Sequence, residues 1–392
     1  MFWASPKNCK KLIMALSNTV SKKIENNKRS ITFVCSARDY HAVDWYRLVK
    51  ALCPNRRVLI ITDLIESEGV ERLVDCRDEV LQLLSLDRWL FKNQSRLGNI
   101  WRNFVKIVSA PLAAWRLNSL SKNIESIFHA HSMYYIFICW LARVQYIATP
   151  MGSDVLVRPE NSRMYKLLTI FSLRGACEIT VDSHALQKKI FSLCERKSFL
   201  IQNGVNAQET EVYRASVKNR FRAVSIRGMD PNYRLLKIIE ARDSSSTFQP
   251  IDFIYPFLEE SYAKSVAGSL RNLDCNLGRL SKTEMYKMLE EAFVVFSIPL
   301  SDSSPRSVYE SIFCGACVVA THGGWIDSLP RCMRARVLVV DIELTDWFTK
   351  AMYEAREISS RPFIPSRQAF EVFDENEAMK RACELLYQDA NL

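Results

Sequence analysis

The sequence has no long hydrophobic run. Its longest uncharged apolar stretch, Met133–Ala142, spans ten residues, about half of what a helix needs to cross a bilayer. That excludes a transmembrane span. A paired-cysteine framework is also missing. Twelve cysteines are scattered along the chain. The one close pair, Cys314 and Cys317, falls at a helix end and on a buried strand, with no second pair or histidine beside it. Zinc and a disulfide scaffold are excluded, and buried free thiols in a reducing cytoplasm are expected instead. No short-period repeat or low-complexity tract is present, so the chain is not a solenoid. It has no Asp-x-Asp pair of the kind that holds a divalent metal, and no metal is expected. Its positive charge comes without a nucleic-acid-binding module, so nucleic acid is not the expected partner.

What is present is ordinary globular composition. With 392 residues, 48% apolar and 24% charged, the chain can build two domains with full cores. The net charge of +10 is unevenly spread. From Arg88 to Lys122 there are seven basic residues and no acidic one. Trp89, Phe91, Ile100, Trp101, Phe104, Val105, Ile107 and Trp115 interleave with Arg96, Arg102, Lys106 and the other cations. Two readings stand for this stretch: a solvated basic face over a core, or a surface that meets anionic lipid headgroups. Contact with an anionic membrane surface is expected, which places the protein on the inner face of the cytoplasmic membrane. Leu12, Ile13, Leu16, Val20 and Ile24 make a helical stripe among lysines. Residues 1–30 are therefore expected to form a basic amphipathic extension rather than a signal peptide.

Short apolar runs alternate with helical stretches. Strands are expected at Ile31–Cys35, Arg57–Ile61, Ser126–Phe128, Tyr146–Thr149, Glu178–Ser183 and Ser198–Ile201. A second series runs through Ala223–Ile226, Ile251–Tyr255, Phe293–Ile298, Ala316–Ala320 and Val337–Val340. Helices lie between them, from about Val43, over 86–125 and from about Tyr135 to Arg143. This is the pattern of parallel sheets covered on both faces by helices. The polar segment Asn206–Phe221 separates the two series.

One unit carries the most information. After the Phe293–Ile298 strand comes Ser301-Asp302-Ser303-Ser304-Pro305-Arg306-Ser307-Val308-Tyr309-Glu310, then Gly315 and the next strand. Ser304 is expected to cap a helix with Pro305 in its first turn. That helix N-terminus would open at the carboxyl edge of a parallel sheet, where ligands of such sheets bind and where a phosphate is favoured. Val308, Tyr309, Ile312 and Phe313 form its buried stripe. Glu310 is expected off that stripe, charged and free to accept from two sugar hydroxyls.

The unit resembles the signature of retaining, nucleotide-sugar-dependent glycosyltransferases of family four, in which two acidic residues flank seven others. Asp302 and Glu310 match that spacing, with Asp in the place of the first Glu. Ile201–Asn206 resembles the family's inter-domain turn, and Leu277–Ser281 the segment before the helix that precedes the donor loop. The resemblance runs from about Ile31 to the C-terminus. It implies the GT-B fold: two Rossmann-like doubly wound parallel-sheet domains facing across a cleft. The expected layout is an acceptor domain over 31–207, a donor domain over 208–370, and a C-terminal helix over 371–392 packing back on the first domain.

The resemblance also implies roles. Glu310 would hold the donor ribose. Asp302, Ser303, Ser304, Arg306 and Ser307 would lie near the transferred sugar and its phosphates. Arg227, ending the Ala223–Ile226 strand, resembles the family's phosphate-binding Arg, and its planar fork suits phosphate oxygens. The Lys usual five residues later is Asn232 here, leaving Arg234, Lys237 and Arg306 as candidates for the second cation. In His129-Ala130-His131, only one imidazole is expected to point into the crevice: His131 is assigned to the site and His129 to structure. Asp154, in Gly152-Ser153-Asp154, is placed on the acceptor side or as a helix cap. The expected activity is metal-independent sugar transfer with retention, from a nucleotide-diphosphate sugar to a lipid-linked or polysaccharide acceptor, in cell-surface glycan synthesis. No separate cofactor is expected. A nucleotide-sugar epimerase, or a non-catalytic relative that binds glycan or nucleotide, would share the fold.

Overall fold

The computed structural model describes residues 29–36, 39–63, 79–84, 86–89, 96–215, 220–245 and 248–388. Residues 1–28 of the expected extension, and Lys92, lie outside these.

Thirteen strands are present among the described residues. In the first half they are β1 Ser30–Val34, β2 Val58–Thr62, β3 Val80–Gln82, β4 Ser126–His131, β5 Tyr146–Thr149, β6 Glu178–Val181 and β7 Phe199–Leu200. In the second half they are β8 Arg222–Ser225, β9 Ile251–Ile254, β10 Cys275–Gly278, β11 Ala292–Ser297, β12 Cys317–Ala320 and β13 Val337–Val339. Each half is one sheet, ordered β3-β2-β1-β4-β5-β6-β7 and β10-β9-β8-β11-β12-β13. Every named strand pairing is parallel. The fold class is therefore α/β with two doubly wound parallel sheets, as expected.

Parallel strands are covered on both faces, so the central ones read as unbroken apolar runs. β2 (Val-Leu-Ile-Ile-Thr) and β11 (Ala-Phe-Val-Val-Phe-Ser) are buried along their whole length. Each large apolar residue of this kind contributes about 1.5–3 kcal/mol when fully buried. The two strands not anticipated, β3 and β10, are sheet edges with half-exposed or exposed residues. Their apolar signal is too weak to read.

Strand order changes direction between β1 and β4 in one sheet and between β8 and β11 in the other. Such switch points open crevices at the carboxyl ends of the strands. The chain passes between the halves at Ile201–Asn206 and returns at Asp374–Glu375. The two passages are tied together: Val205 N–H donates to Phe373 O at 2.7 Å and Glu375 N–H to Val205 O at 2.9 Å. Gly204 stands there at φ +66°, and a Cβ on it would fall 2.3 Å from the Glu375 Cα. Only glycine fits that crossing. The Glu375–Leu386 helix then packs on the first half, with Met379, Ala382, Leu386 and Tyr387 in one core with Ile31, Phe33 and Trp45.

Candidate active site

The two switch points face each other across a cavity of about 880 Å³. One wall is the start of the Tyr40–Leu52 helix, which follows β1 and brings Tyr40, His41 and Asp44. The other wall follows β8 and β11 and brings Arg227, Tyr233, Asp302, Ser304, Arg306, Ser307 and Glu310. Six of the nine expected site residues thus line one cavity. His131, Ser303 and Asp154 do not.

Arg227 lies just beyond β8, where the sheet edge meets the cleft. Its Nη1 donates to Ser307 Oγ at 2.9 Å and its Nη2 to an Asp302 carboxylate oxygen. The guanidinium lies 4.5 Å from the centre of the Tyr233 ring. Its Nε is buried with no partner. Asp302 accepts in turn from the Ser304 N–H at 3.3 Å. Cation, carboxylate and loop amide therefore form one polar group at the mouth of the β11 loop.

The helix after that loop runs Arg306–Phe313, and Pro305 is its N-cap, with no side-chain cap. The expected Ser304 cap is corrected accordingly. The Ser304 hydroxyl instead donates to Gln202 Oε1 at 2.8 Å, linking the loop after β11 to the inter-half crossing. Glu310 is also corrected. It is 6% exposed rather than off the buried face. Tyr286 OH donates to its Oε1 at 3.1 Å, and Arg306 Nε lies 3.6 Å from the same oxygen. Burial raises its pKa, and Arg306 opposes that rise.

Among the candidate second cations, Arg234 is engaged in holding the fold. It donates to the carbonyls of Ile298 and Pro299 and to Thr321 Oγ1. Lys237 pairs with Glu240 on an exposed helix face. Asn232 ties its turn to the loop by accepting from Ser301 N–H at 3.2 Å and donating to Ser301 O at 3.1 Å. Arg306 alone of the three lines the cavity. It reaches Asp44 Oδ2 and Glu375 Oε2, each at 2.9 Å, and so joins its helix to the first half and to the inter-half crossing.

The histidine pair corrects a further expectation. Residues two apart on a strand share a face, and the His129 and His131 rings are 4.5 Å apart. Both pack between Phe33 and Trp45. His129 is held by Tyr387 OH and Thr149 Oγ1, each at 2.6 Å. His131 is 1% exposed, its Nε2 lacks a partner, and burial pulls its pKa down to about 3. The imidazole that lines the cavity is His41. Its Nδ1 is buried without a partner, and burial lowers its pKa against the opposing pull of Asp39. Both imidazoles are neutral near pH 7 and can each donate one hydrogen bond.

Gly152 abuts the Asp302–Ser304 loop from the first half. A Cβ on Gly152 would fall 2.3 Å from Ser303 Oγ. Asp154 is buried, accepts from Met133 N–H at 2.9 Å and pairs with Arg158 at 3.1 Å. Asp182 is pushed up to about pKa 7, first by burial and then by repulsion from Asp302. Sequence reasoning missed His41, Asp44, Gln202, Tyr233, Tyr286, Glu375 and Asp182. No local motif marks them, since each reaches the site by tertiary placement. Among the described residues no group of three or more His, Cys, Asp or Glu could hold a metal ion. None of the ten described cysteines is in a disulfide.

No protein-family model matches the sequence, and no curated protein matches it. Solved structures do. HepE of Anabaena, in complex with UDP-glucose, superposes with a TM-score of 0.67 at 15% identity, covering 91% of this chain and 99% of that one. Sucrose-phosphate synthase of Thermosynechococcus elongatus gives 0.67 at 13%, over 91% and 98%. A glycosyltransferase of Rickettsia africae gives 0.64 at 15%, over 92% and 98%. The fold is GT-B. At these identities the likeness shows the fold alone, and the chemistry has to be argued from the cleft.

Proposed function

We propose that this GT-B chain is a glycosyltransferase that moves a sugar from a nucleotide-diphosphate donor, a uridine nucleotide first among them, to an acceptor hydroxyl with retention. The single observation that carries the reading is the convergence of Arg227, Asp302, Ser307, Arg306 and Glu310 on one cavity at the β8/β11 switch point. UDP-glucose bound to HepE supports the choice of uridine.

Glu310 accepts the ribose hydroxyls, turning from the Tyr286 hydroxyl and Arg306 that hold it in the free protein. Arg227 and Arg306, with the amides of Ser303, Ser304 and Ser307 at the helix N-terminus, take the charge that grows on the leaving diphosphate. Stabilising that charge is the strongest effect such a site can exert on the rate. Asp302 and an imidazole orient the sugar. His131 is the residue the family pattern names; His41 has the open position. The bond from the anomeric carbon to the phosphate oxygen breaks, and a bond to the acceptor oxygen forms on the same face. The acceptor proton passes to the departing phosphate oxygen, so no protein nucleophile and no metal is needed.

The acceptor enters from the side of Asp154 and is lipid-linked or part of a surface polysaccharide. The Arg96–Ser121 helix supports peripheral binding to an anionic membrane: Ile107 is 65% and Trp115 67% exposed. No helix among the described residues is long and apolar enough to cross a membrane.

The test is a thermal-shift panel with UDP, GDP, dTDP, ADP and CMP on the wild-type protein and on Glu310→Ala. A ligand at a hundredfold excess over its Kd stabilises the folded state by about 2.7 kcal/mol. A shift with UDP that Glu310→Ala loses is the expected result. No shift with any nucleotide would return weight to a non-catalytic relative.

A further inference from the structure

Folding brings together two thiols that the sequence keeps 330 positions apart: Cys53 Sγ lies 3.8 Å from Cys383 Sγ. Cys53 is the C-cap of the Tyr40–Leu52 helix, and Cys383 belongs to the Glu375–Leu386 helix that returns from the second half. These two helices pack on one another. Both thiols are half-buried. They line a cavity of about 400 Å³ with Pro54, Asn55, Arg56 and Gln388, and Pro54, Asn55 and Gln388 are exposed. The pair is therefore reached from solvent, unlike the buried Cys35, Cys139, Cys194, Cys314 and Cys317. Neither Cys53 nor Cys383 lines the cavity at the switch points.

Two thiols in contact behave differently from one. Hydrogen bonding to Cys53 raises the Cys383 pKa and burial adds to it, while the charge of Arg56 opposes the rise. The proton that stays after the first is lost is held between the sulfurs, and the second sulfur waits beside the first. A disulfide needs the sulfurs at about 2.05 Å. Slack for that approach lies on the Cys53 side. Its backbone has left helical geometry, at φ −118° and ψ 59°, and an exposed turn at Pro54 and Asn55 follows. The returning helix gives a bond here a mechanical meaning. At its start the Glu375 N–H donates to Val205 O, and the Glu375 carboxylate meets Arg306. At its end Tyr387 OH meets His129 Nδ1 at 2.6 Å, and Arg56 Nη1 donates to Tyr387 O. Cys383 lies one turn before Tyr387, where a covalent bond would fasten this end to the first half.

We propose that Cys53 and Cys383 form a dithiol site that reacts with low-molecular-weight disulfides of the glutathione type and closes to an internal disulfide, fastening the returning helix to the first half. One protein thiolate attacks a sulfur of the small disulfide. A mixed disulfide forms, and one small thiolate leaves with the bonding electron pair. The second protein thiolate then attacks the protein sulfur of the mixed disulfide and displaces the other small thiolate. The two protein thiols lose two electrons and two protons, and the small disulfide is reduced to two thiols. The bond closes a long loop, so it restricts the unfolded chain far more than the folded one. The site stands whatever the cavity at the switch points binds.

The test exposes the full chain to mixtures of oxidised and reduced glutathione, unfolds it in an alkylating agent and maps the thiols by peptide mass spectrometry. A linked Cys53–Cys383 peptide is expected in mixtures that leave the buried cysteines open to alkylation. The oxidised protein should melt about 5 °C higher than the reduced one, and a reductant should reverse the gain. Cys53→Ser, a near-isosteric change at a half-buried position, should show no such gain and carry at most a glutathione on Cys383. Glutathione on both cysteines with no link between them overturns the proposal. So do two unmodified thiols in the most oxidising mixture, a link that forms without a rise in Tm, and a rise that Cys53→Ser keeps.

Discussion

The β8/β11 edge and the β1/β4 edge are built on the same parallel plan, and they end in opposite chemistry. At the first, the residues leaving the strands are charged or hydroxylic: Arg227, Asp302, Ser304 and Arg306 meet in the cavity. At the second, the residues of β4 are imidazoles packed among Phe33, Trp45 and Tyr387. The first edge keeps its polar groups on the cavity; at the second, β4 encloses its imidazoles in the core and only the groups that follow β1 reach the cavity. A crevice at a switch point is thus a place where a site can form, and the side chains decide whether it does. The second half brings Arg227, Asp302, Arg306 and Glu310 to the cavity. The half opposite brings Tyr40, His41, Asp44 and Arg47 to the cavity.

The contrast between the edges is most open to disproof at Arg227. Arg227→Ala should lower the transfer rate by about 10²–10³-fold, the size of losing one preorganised donor to developing charge. A variant with the wild-type rate would mean that the charged edge is not where the leaving group sits. On the packed edge the corresponding loss is in folding. Trp45→Ala should cost about 3–5 kcal/mol of stability, as large buried aromatics do. Its Tm should still rise when the nucleotide is added. A Trp45→Ala protein as stable as the wild type would show that the edge is not a core.

The histidines sharpen the contrast. His41→Ala should reduce transfer by about 10²-fold with little change in Tm, because it opens on the cavity. His131→Ala should mainly lower Tm. The reverse pattern would put His131 in contact with the sugar and return the β4 edge to the chemistry. A pH-dependent effect is expected from Asp182, just after β6. Its folded pKa is raised to about 7 from 3.8. The folded state therefore holds a proton that the unfolded state releases between these values, and stability from this group falls as pH rises from about 4 to 7. Asp182→Asn should be more stable than the wild type at pH 8, with the difference vanishing towards pH 4. A difference independent of pH would show that the carboxyl is not buried beside Asp302.

The sequence legibly carried the strands that are buried on both faces, because an unbroken apolar run of that length fits a covered parallel sheet. Tyr146–Thr149 was placed to the residue. β3 and β10 escaped because edge strands bury too little to leave a pattern. The loop after β11 was legible for a related reason: its polar residues, proline and spaced carboxylates lie in one continuous stretch. Its details were not. Ser304 reads as a helix cap until Gln202, 102 positions away, offers a better acceptor. Glu310 reads as solvated until Tyr286 and Arg306 close over it.

Local periodicity and residues adjacent in the chain are thus enough to specify two parallel α/β sheets, the order of their strands along the chain, and the loop that bears the carboxylates. Two things waited for the packed molecule: which imidazole faces the cleft, and which of the candidate second cations lines the cavity. These depend on groups far apart in the chain, whose distances are set only when the two sheets pack and the C-terminal helix returns across them.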